Sequence, residues 1–242
     1  VLTTGVPIID ANNNLQGFTV ANASKITFTD RVQTDSSGQE TGIINGSSDT
    51  PRIDLISRAV EINGTLQAQA INIVTGANKV TYSDAAGDSN DLQAEKITAA
   101  AAAPALALDV SALGGMYAGR ITMVGTENGV GVKNAGVMEA YGDIGAISLN
   151  VNGKITFAQS TETETDPDGG ADISTVTSRI AAQKNIELQS SETIEFADDI
   201  TAGGDLTVKA QTITNHGLLT AGSYRPASAT DDDAEVDAKL AA

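Results

Sequence analysis

A chain of 242 residues that is 40% hydrophobic but only 3% aromatic can bury a core, and that core must be thin layers of Ile, Leu, Val, Met and Ala. Its 31 acidic against 14 basic residues give a net charge of −17, which repels phosphate backbones and anionic lipid and argues against nucleic-acid or membrane-surface binding. With no cysteine, a disulfide framework and a thiolate metal site are both excluded, and no run approaches the roughly 18 apolar residues of a membrane span.

Taken in chain order, residues 1–50 read as hairpin-like strands around "DANNNLQG" and "TDSSGQETG", where Gly, Asn and Asp supply turn conformations. The start at Val1, without Met or a basic-then-apolar leader, reads as a cut in a longer sequence. In the next stretch Arg52, Arg58 and Glu61 lie between apolar Ile53, Leu55, Ile56 and Val60. Two readings follow: a structural ion pair on an outer face, or a docking patch for a partner.

From Leu66 onward one unit recurs: an aliphatic residue, a spacer, Ala, and soon afterwards an aliphatic pair separated by one residue. Leu66-Gln67-Ala68 leads to Ile71 and Ile73, Leu92-Gln93-Ala94 to Ile97, Met116-Tyr117-Ala118 to Ile121 and Met123, and Met138-Glu139-Ala140 to Ile144. Ile180-Ala181-Ala182 then leads to Ile186 and Leu188, Ile200-Thr201-Ala202 to Leu206 and Val208, and Leu219-Thr220-Ala221 closes the series. The first positions stand 26, 24, 22, 42, 20 and 19 residues apart, and the 42 reads as two steps of 21.

A period near 20 with apolar residues at i and i+2 points to short strands whose alternate side chains share one interior. Each unit is then one coil of a solenoid, and seven steps at roughly 4.8 Å predict a rise of about 34 Å. In the glycine-rich stretch 113–140, Met116, Ala118, Ile121 and Met123 are expected to point inward, with Gly125, Gly129, Gly131 and Gly136 at corners or close backbone contacts. Residues 83–103 and 159–172 interrupt the repeat and read as lateral excursions. Residues 1–226 form the expected β-helical unit, and the charged tail 227–242, ending in a vector-like Lys239-Leu240-Ala241-Ala242, is expected to be disordered.

Few residues promise chemistry. His216 is the sole histidine and sits in a repeat corner. Asp84, Asp88 and Asp91 lack the ligand spacing and terminal Glu of a calcium loop, and "DPDGGAD" (166–172) carries a calcium-repeat fragment only once. Asp198 and Asp199 are adjacent, so on a strand they would face opposite ways and not flank one glycosidic bond. Asn63, Asn134 and Asn215 precede Gly-bearing corners and are expected to shape turns. A polysaccharide-active enzyme would need a cleft of convergent carboxylates, which the sequence does not display.

Three blocks, "LTTGVPIIDANNNLQGF" (2–18), "DLISRAVEINGTLQAQAINIVTGANKV" (54–80) and "LDVSALGGMYAGRITMVGTENGVGVKNAG" (108–136), resemble the amino-terminal secretion domain of filamentous-hemagglutinin-type exoproteins. These are the passengers of two-partner secretion, and they include adhesins and contact-dependent growth-inhibition toxins. The resemblance implies a right-handed parallel β-helix with lateral extra sheets. It also implies a non-enzymatic, cofactor-free, monomeric secretion and folding-nucleation domain, recognised by the periplasmic domains of an outer-membrane transporter and then secreted or displayed on a Gram-negative cell. Under it, Arg52, Arg58 and Glu61 are the candidate transporter-docking residues. The alternative is an adhesin segment that meets a host or target-cell receptor, glycan or protein, through an exposed β-helix face. Family domains carry an Asn-Pro-Asn-type motif ahead of the region matching Leu2–Gly5. No Asn-Pro occurs in this sequence, which places that motif and the first capping strands upstream.

Overall fold

The computed structural model describes residues 1–29, 32–34, 40–42, 44–82, 92–159, 161–164, 173–176 and 179–222, and within them every regular element is a strand. Most of these strands are parallel and in register with the strand one coil earlier, which gives a solenoid with three faces. The first face stacks Thr65–Ala70, Gly115–Arg120, Val137–Ala140, Arg179–Ala182, Ile200–Ala202 and Leu219–Ala221. The second stacks Ile53–Ser57, Ile71–Thr75, Ile121–Gly125, Ala146–Val151, Ile186–Ser190 and Leu206–Lys209. The third runs from Lys25–Thr29 through Ala59–Asn63, Leu106–Val110, Gly131–Asn134, Ile155–Phe157 and Thr193–Phe196 to Thr212–Asn215.

The interior is built from ladders of one side-chain type per row, because in-register strands place equivalent residues directly above one another. Leu66, Met116, Met138, Ile180, Ile200 and Leu219 form one ladder, and the alanines two positions on form the next, Ala68 through Ala118, Ala140 and Ala182 to Ala202. Ile71, Ile121, Ile147, Ile186 and Leu206 continue on the second face. All of these except the end residues Leu206 and Leu219 are buried, each aliphatic contributing about 1.5–3 kcal/mol. On the third face Phe157 stacks on Phe196, with ring centres 5.5 Å apart and planes within 4°. Three phenylalanines, Phe28 with these two, and a column of alanines are how so aromatic-poor a chain fills the prism.

Six of the seven repeat landmarks fall in register on that first ladder, and Leu92 does not. Leu92–Lys96 is instead an edge strand of a lateral antiparallel sheet, paired with Asn78–Tyr82, which pairs with Leu15–Val20 and that with Val6–Ile9. The same alternation of Leu, Gln and Ala serves both uses, and the antiparallel pairing with 78–82 decides between them. Nor is the 42-residue gap two coils. Met138 pairs directly with Ile180, and the extra residues leave the coil as an antiparallel ribbon, Thr161–Glu164 with Ile173–Val176. Leu66 and Leu219 are therefore five steps apart, a rise of about 24 Å rather than the 34 Å expected from seven. Ile144 also departs from expectation: it is 57% exposed at a corner, and Ile147 and Leu149 fill the interior in its place.

Of the glycine-rich stretch, Met116, Ala118, Ile121 and Met123 are fully buried, as their spacing predicts. Gly136 is a close backbone contact: a Cβ there would lie 2.0 Å from the Gly114 carbonyl oxygen and 2.5 Å from that of Ser111. The lateral sheet packs over the outer side of the second face. There Phe18, Val20 and Val80 cover the outward-facing Ile56 and Val74, forming a second small core.

Candidate functional site: the junction of coil and lateral sheet

The polar residues with the most built surroundings lie where the first coils meet the lateral sheet. Arg58 stands at the corner between Ile53–Ser57 and Ala59–Asn63, and it is 1% exposed. Its Nη2 and Nε donate to the two carboxylate oxygens of Glu127 at 2.6 and 2.8 Å, a paired fork that adds geometric definition to charge. Nη1 donates to the Ala21 carbonyl at 3.2 Å, and Nη2 reaches the carbonyls of Ala101 and Ala102 at 3.1 and 3.2 Å. The hydrogen bonds to Glu127 raise the Arg58 pKa further above its ordinary value. One side chain thus ties the end of the first hairpin, the alanine run that closes the 78–96 excursion, and the next corner at 126–128.

The other two residues singled out from the sequence have different partners. Arg52 donates from Nε to Asp54 Oδ1 at 2.5 Å and lies over the Tyr82 ring, 5.9 Å from its centre. Asn72 donates to the same Asp54 oxygen at 2.8 Å. Glu61 pairs with Lys25 and accepts from Asn63 Nδ2 at 2.8 Å, bonds that hold its carboxyl below the ordinary range. Arg52 precedes a strand of the second face whereas Glu61 points outward from the third, so the three do not make one patch. Arg58 is interior, not outer, because its guanidinium closes over carbonyls that would otherwise be left without donors. Glu127 is the residue that sequence reasoning missed, 69 positions from its partner. A signal was present: between Asp109 and Glu139 it is the only carboxylate in the chain.

Asp198 and Asp199 lie not on a strand but in the corner between Thr193–Phe196 and Ile200–Ala202. Asp198 is buried, and Asp199 accepts from the Leu218 amide at 2.7 Å, which makes it a corner brace. Asn134 and Asn215 donate to the carbonyls of Gly136 and Gly217, each at 2.9 Å, so they share one turn device, whereas Asn63 bonds to Glu61 instead. His216 is exposed in its corner. Asp84, Asp88, Asp91, the 166–172 stretch and the 227–242 tail lie outside the described residues. Among the described residues no group of three His, Cys, Asp or Glu side chains converges as a metal site, and no helix is long and apolar enough to cross a membrane.

A three-faced parallel solenoid whose first coils carry a lateral antiparallel sheet defines the class: a parallel β-helix of the exoprotein type. The fold is that of the filamentous hemagglutinin secretion domain, whose crystal structure aligns with 91% of this chain and 56% of its own at a TM-score of 0.52 and 21% identity. The family model named TPS secretion domain matches residues 1–157, and the chain belongs to that family. Among relatives, the tRNA nuclease CdiA-2 of Burkholderia pseudomallei is 38% identical over 160 residues, 66% of this chain and 4% of its own length. The 16S rRNA endonuclease CdiA of Enterobacter cloacae is 32% identical over 245 residues, 100% of this chain and 7% of its own. This chain therefore spans less than a tenth of these relatives, and the part matched is their secretion domain, not the whole nuclease. Membership indicates a secreted or cell-surface exoprotein of a Gram-negative bacterium.

Proposed function

We propose that residues 1–226 act as a non-enzymatic, monomeric export and folding-nucleation unit of a large CdiA-type exoprotein, passing through the periplasm to an outer-membrane transporter, with the tail 227–242 outside the packed unit. The observation that supports this reading is the in-register stacking of each coil on the one before, from Leu66 through Met116, Met138, Ile180 and Ile200 to Leu219. Over the outer side of the first coils lie the 6–20 hairpin and the strands Asn78–Tyr82 and Leu92–Lys96, and Arg58 fastens that junction. At the last described coil Leu206, Val208 and Leu219 are only half covered, and Ile213 is 49% exposed. A finished rung presents a row of backbone donors and acceptors to the next, so each completed coil templates the one that stacks on it.

The test is export of the full exoprotein carrying Leu206→Asp with Val208→Asp. Loss of folded, protease-resistant protein at the surface while the first coils still fold supports nucleation; unchanged yield of resistant protein overturns it. For docking, we assign the partly exposed candidates: Arg52 just before the second face, and Glu61 with exposed Lys25 on the third. Arg58 contributes through the fold alone. Capture by the transporter's periplasmic domains should weaken on replacing Arg52 or Glu61 by Ala with the melting temperature little changed, and undiminished capture removes them as docking residues.

A further inference from the structure

Between the outer side of the second face and the lateral strand Leu92–Lys96 runs a groove of about 390 Å³, lined by Asn72, Val74, Gln93, Arg120, Thr122 and Ser148 among others. Its floor is a polar ladder: Asn72 is in register with Thr122, and Thr122 with Ser148, while Asn72 donates from Nδ2 to Asp54 on the rung before. These amides and hydroxyls recur at the strand spacing of about 4.8 Å, close to the length of one pyranose ring. Beside them Val124 and Leu92 offer apolar surface to the C–H faces of such a ring.

Arg120 is the one charged side chain among the described residues lining the groove. Among the described residues the lining holds no Asp or Glu, in a chain of net charge −17, and Asp54, one rung below Asn72, is paired with Arg52. Arg52 and Arg120 occupy the same register position two rungs apart, each just before the inward row Ile53, Ile71, Ile121. That separation is about 10 Å. Each guanidinium has one buried nitrogen with no hydrogen-bond partner, Nη2 of Arg52 and Nε of Arg120. A partnerless buried N–H of a cation is costly, and a carboxylate satisfies two at once. Strand addition by a peptide would rely on main-chain donors, whereas this lining presents side-chain amides and hydroxyls, which suit a polyol.

We propose that this groove binds a uronate-containing oligosaccharide, with the sugar carboxylate on Arg120 and its hydroxyls on Asn72, Thr122, Ser148 and Gln93. The site binds without cleaving, and it stands apart from export. Calorimetric titration of the whole chain with oligogalacturonate tests it, beside the carboxyl-reduced oligomer and an oligoglutamate peptide of equal charge. Saturable binding that weakens with salt, falls at least tenfold for the reduced oligomer and for Arg120→Gln, and is blocked by the groove-filling Thr122→Trp is the expected result. Absence of saturable binding to the wild-type chain overturns the proposal, as does equal affinity for the reduced oligomer. Stronger binding of oligoglutamate overturns it in favour of an acidic-peptide site. Titration reads the groove alone, so lost export with intact sugar binding, or the converse, separates this proposal from the secretion reading.

Discussion

The coil from Leu66 to Met116 takes 50 residues to climb one rung, and the coil from Ile180 to Ile200 takes 20, yet the interior positions are interchangeable. Both set an aliphatic residue and then Ala on the first face and two aliphatics on the second. What differs is where the chain goes between faces. In the long coil it leaves to build strands Asn78–Tyr82 and Leu92–Lys96 over the outer side of the solenoid, and a buried ion pair brings it back. In the short coil a corner of a few residues suffices. The core therefore sets the rung, and the excursions are added without disturbing it, because they attach at corners where no inward side chain is due.

The difference predicts two kinds of fragility. In the short coils every neighbour of an inward residue is another coil, so Ile186→Asp places an unpaired charge in a dry ladder and should cost more than about 4 kcal/mol. Proteolysis of that variant should remove the chain from about Arg179 onward and leave the laterally braced first coils resistant. If digestion instead destroys the whole chain at once, the two regions fold as one unit and the comparison fails. Leu206→Asp, at the half-covered end, should cost less than Ile186→Asp on the same melting curve.

In the long coil the vulnerable point is a charge already present. Arg58→Ala strands the Glu127 carboxylate and three carbonyls, and breaking a buried pair from one side costs about 3–5 kcal/mol. Replacing both partners by apolar residues should recover part of the loss, and a double-mutant cycle by denaturant unfolding measures the coupling. A cycle showing no coupling would mean that the staple is incidental to the junction.

The contrast between regions also shows where the sequence was readable. The ladder Met116, Met138, Ile180, Ile200, Leu219 was legible because stacking demands the same residue type at each turn, and that demand is written as a period. Leu92 misled because alternation is a property of any half-buried strand, and whether its neighbour is parallel or antiparallel depends on residues far along the chain. The 42-residue gap misled because an excursion of about one coil length mimics a coil. Arg58 was visible as a charge among aliphatics, but its burial depends on Glu127 and on the carbonyls of Ala21, Ala101 and Ala102, which no local pattern brings together.

Glycines sharpen the comparison at smaller cost. Gly136→Ala drives a Cβ to 2.0 Å from the backbone of the coil before it, an overpacking that should cost about 3 kcal/mol. Gly142 has a φ of 86° with open space around it, so Ala there should cost only about 1 kcal/mol, from the left-handed backbone alone. Equal melting-temperature losses for the two would show that conformation, not the contact between coils, governs these corners.

The smallest effect is expected at Glu61, and its pH dependence is diagnostic. Lys25 and Asn63 hold the Glu61 carboxyl below its ordinary pKa, so the ionised form is favoured in the folded state. A depressed folded pKa contributes stability that is present above the unfolded value, about 4.3, and is lost as pH falls through the folded one. Glu61→Gln should therefore melt slightly below wild type at pH 7 and level with it near pH 3, the difference at neutral pH staying under about 1 kcal/mol because the pair is exposed and screened. A difference that persists at pH 3 would mean that packing, not charge, holds this position. Agreement at pH 3 with a small deficit at pH 7 makes Glu61→Gln a clean probe of docking, because any large loss of transporter capture at pH 7 then exceeds what the fold has lost.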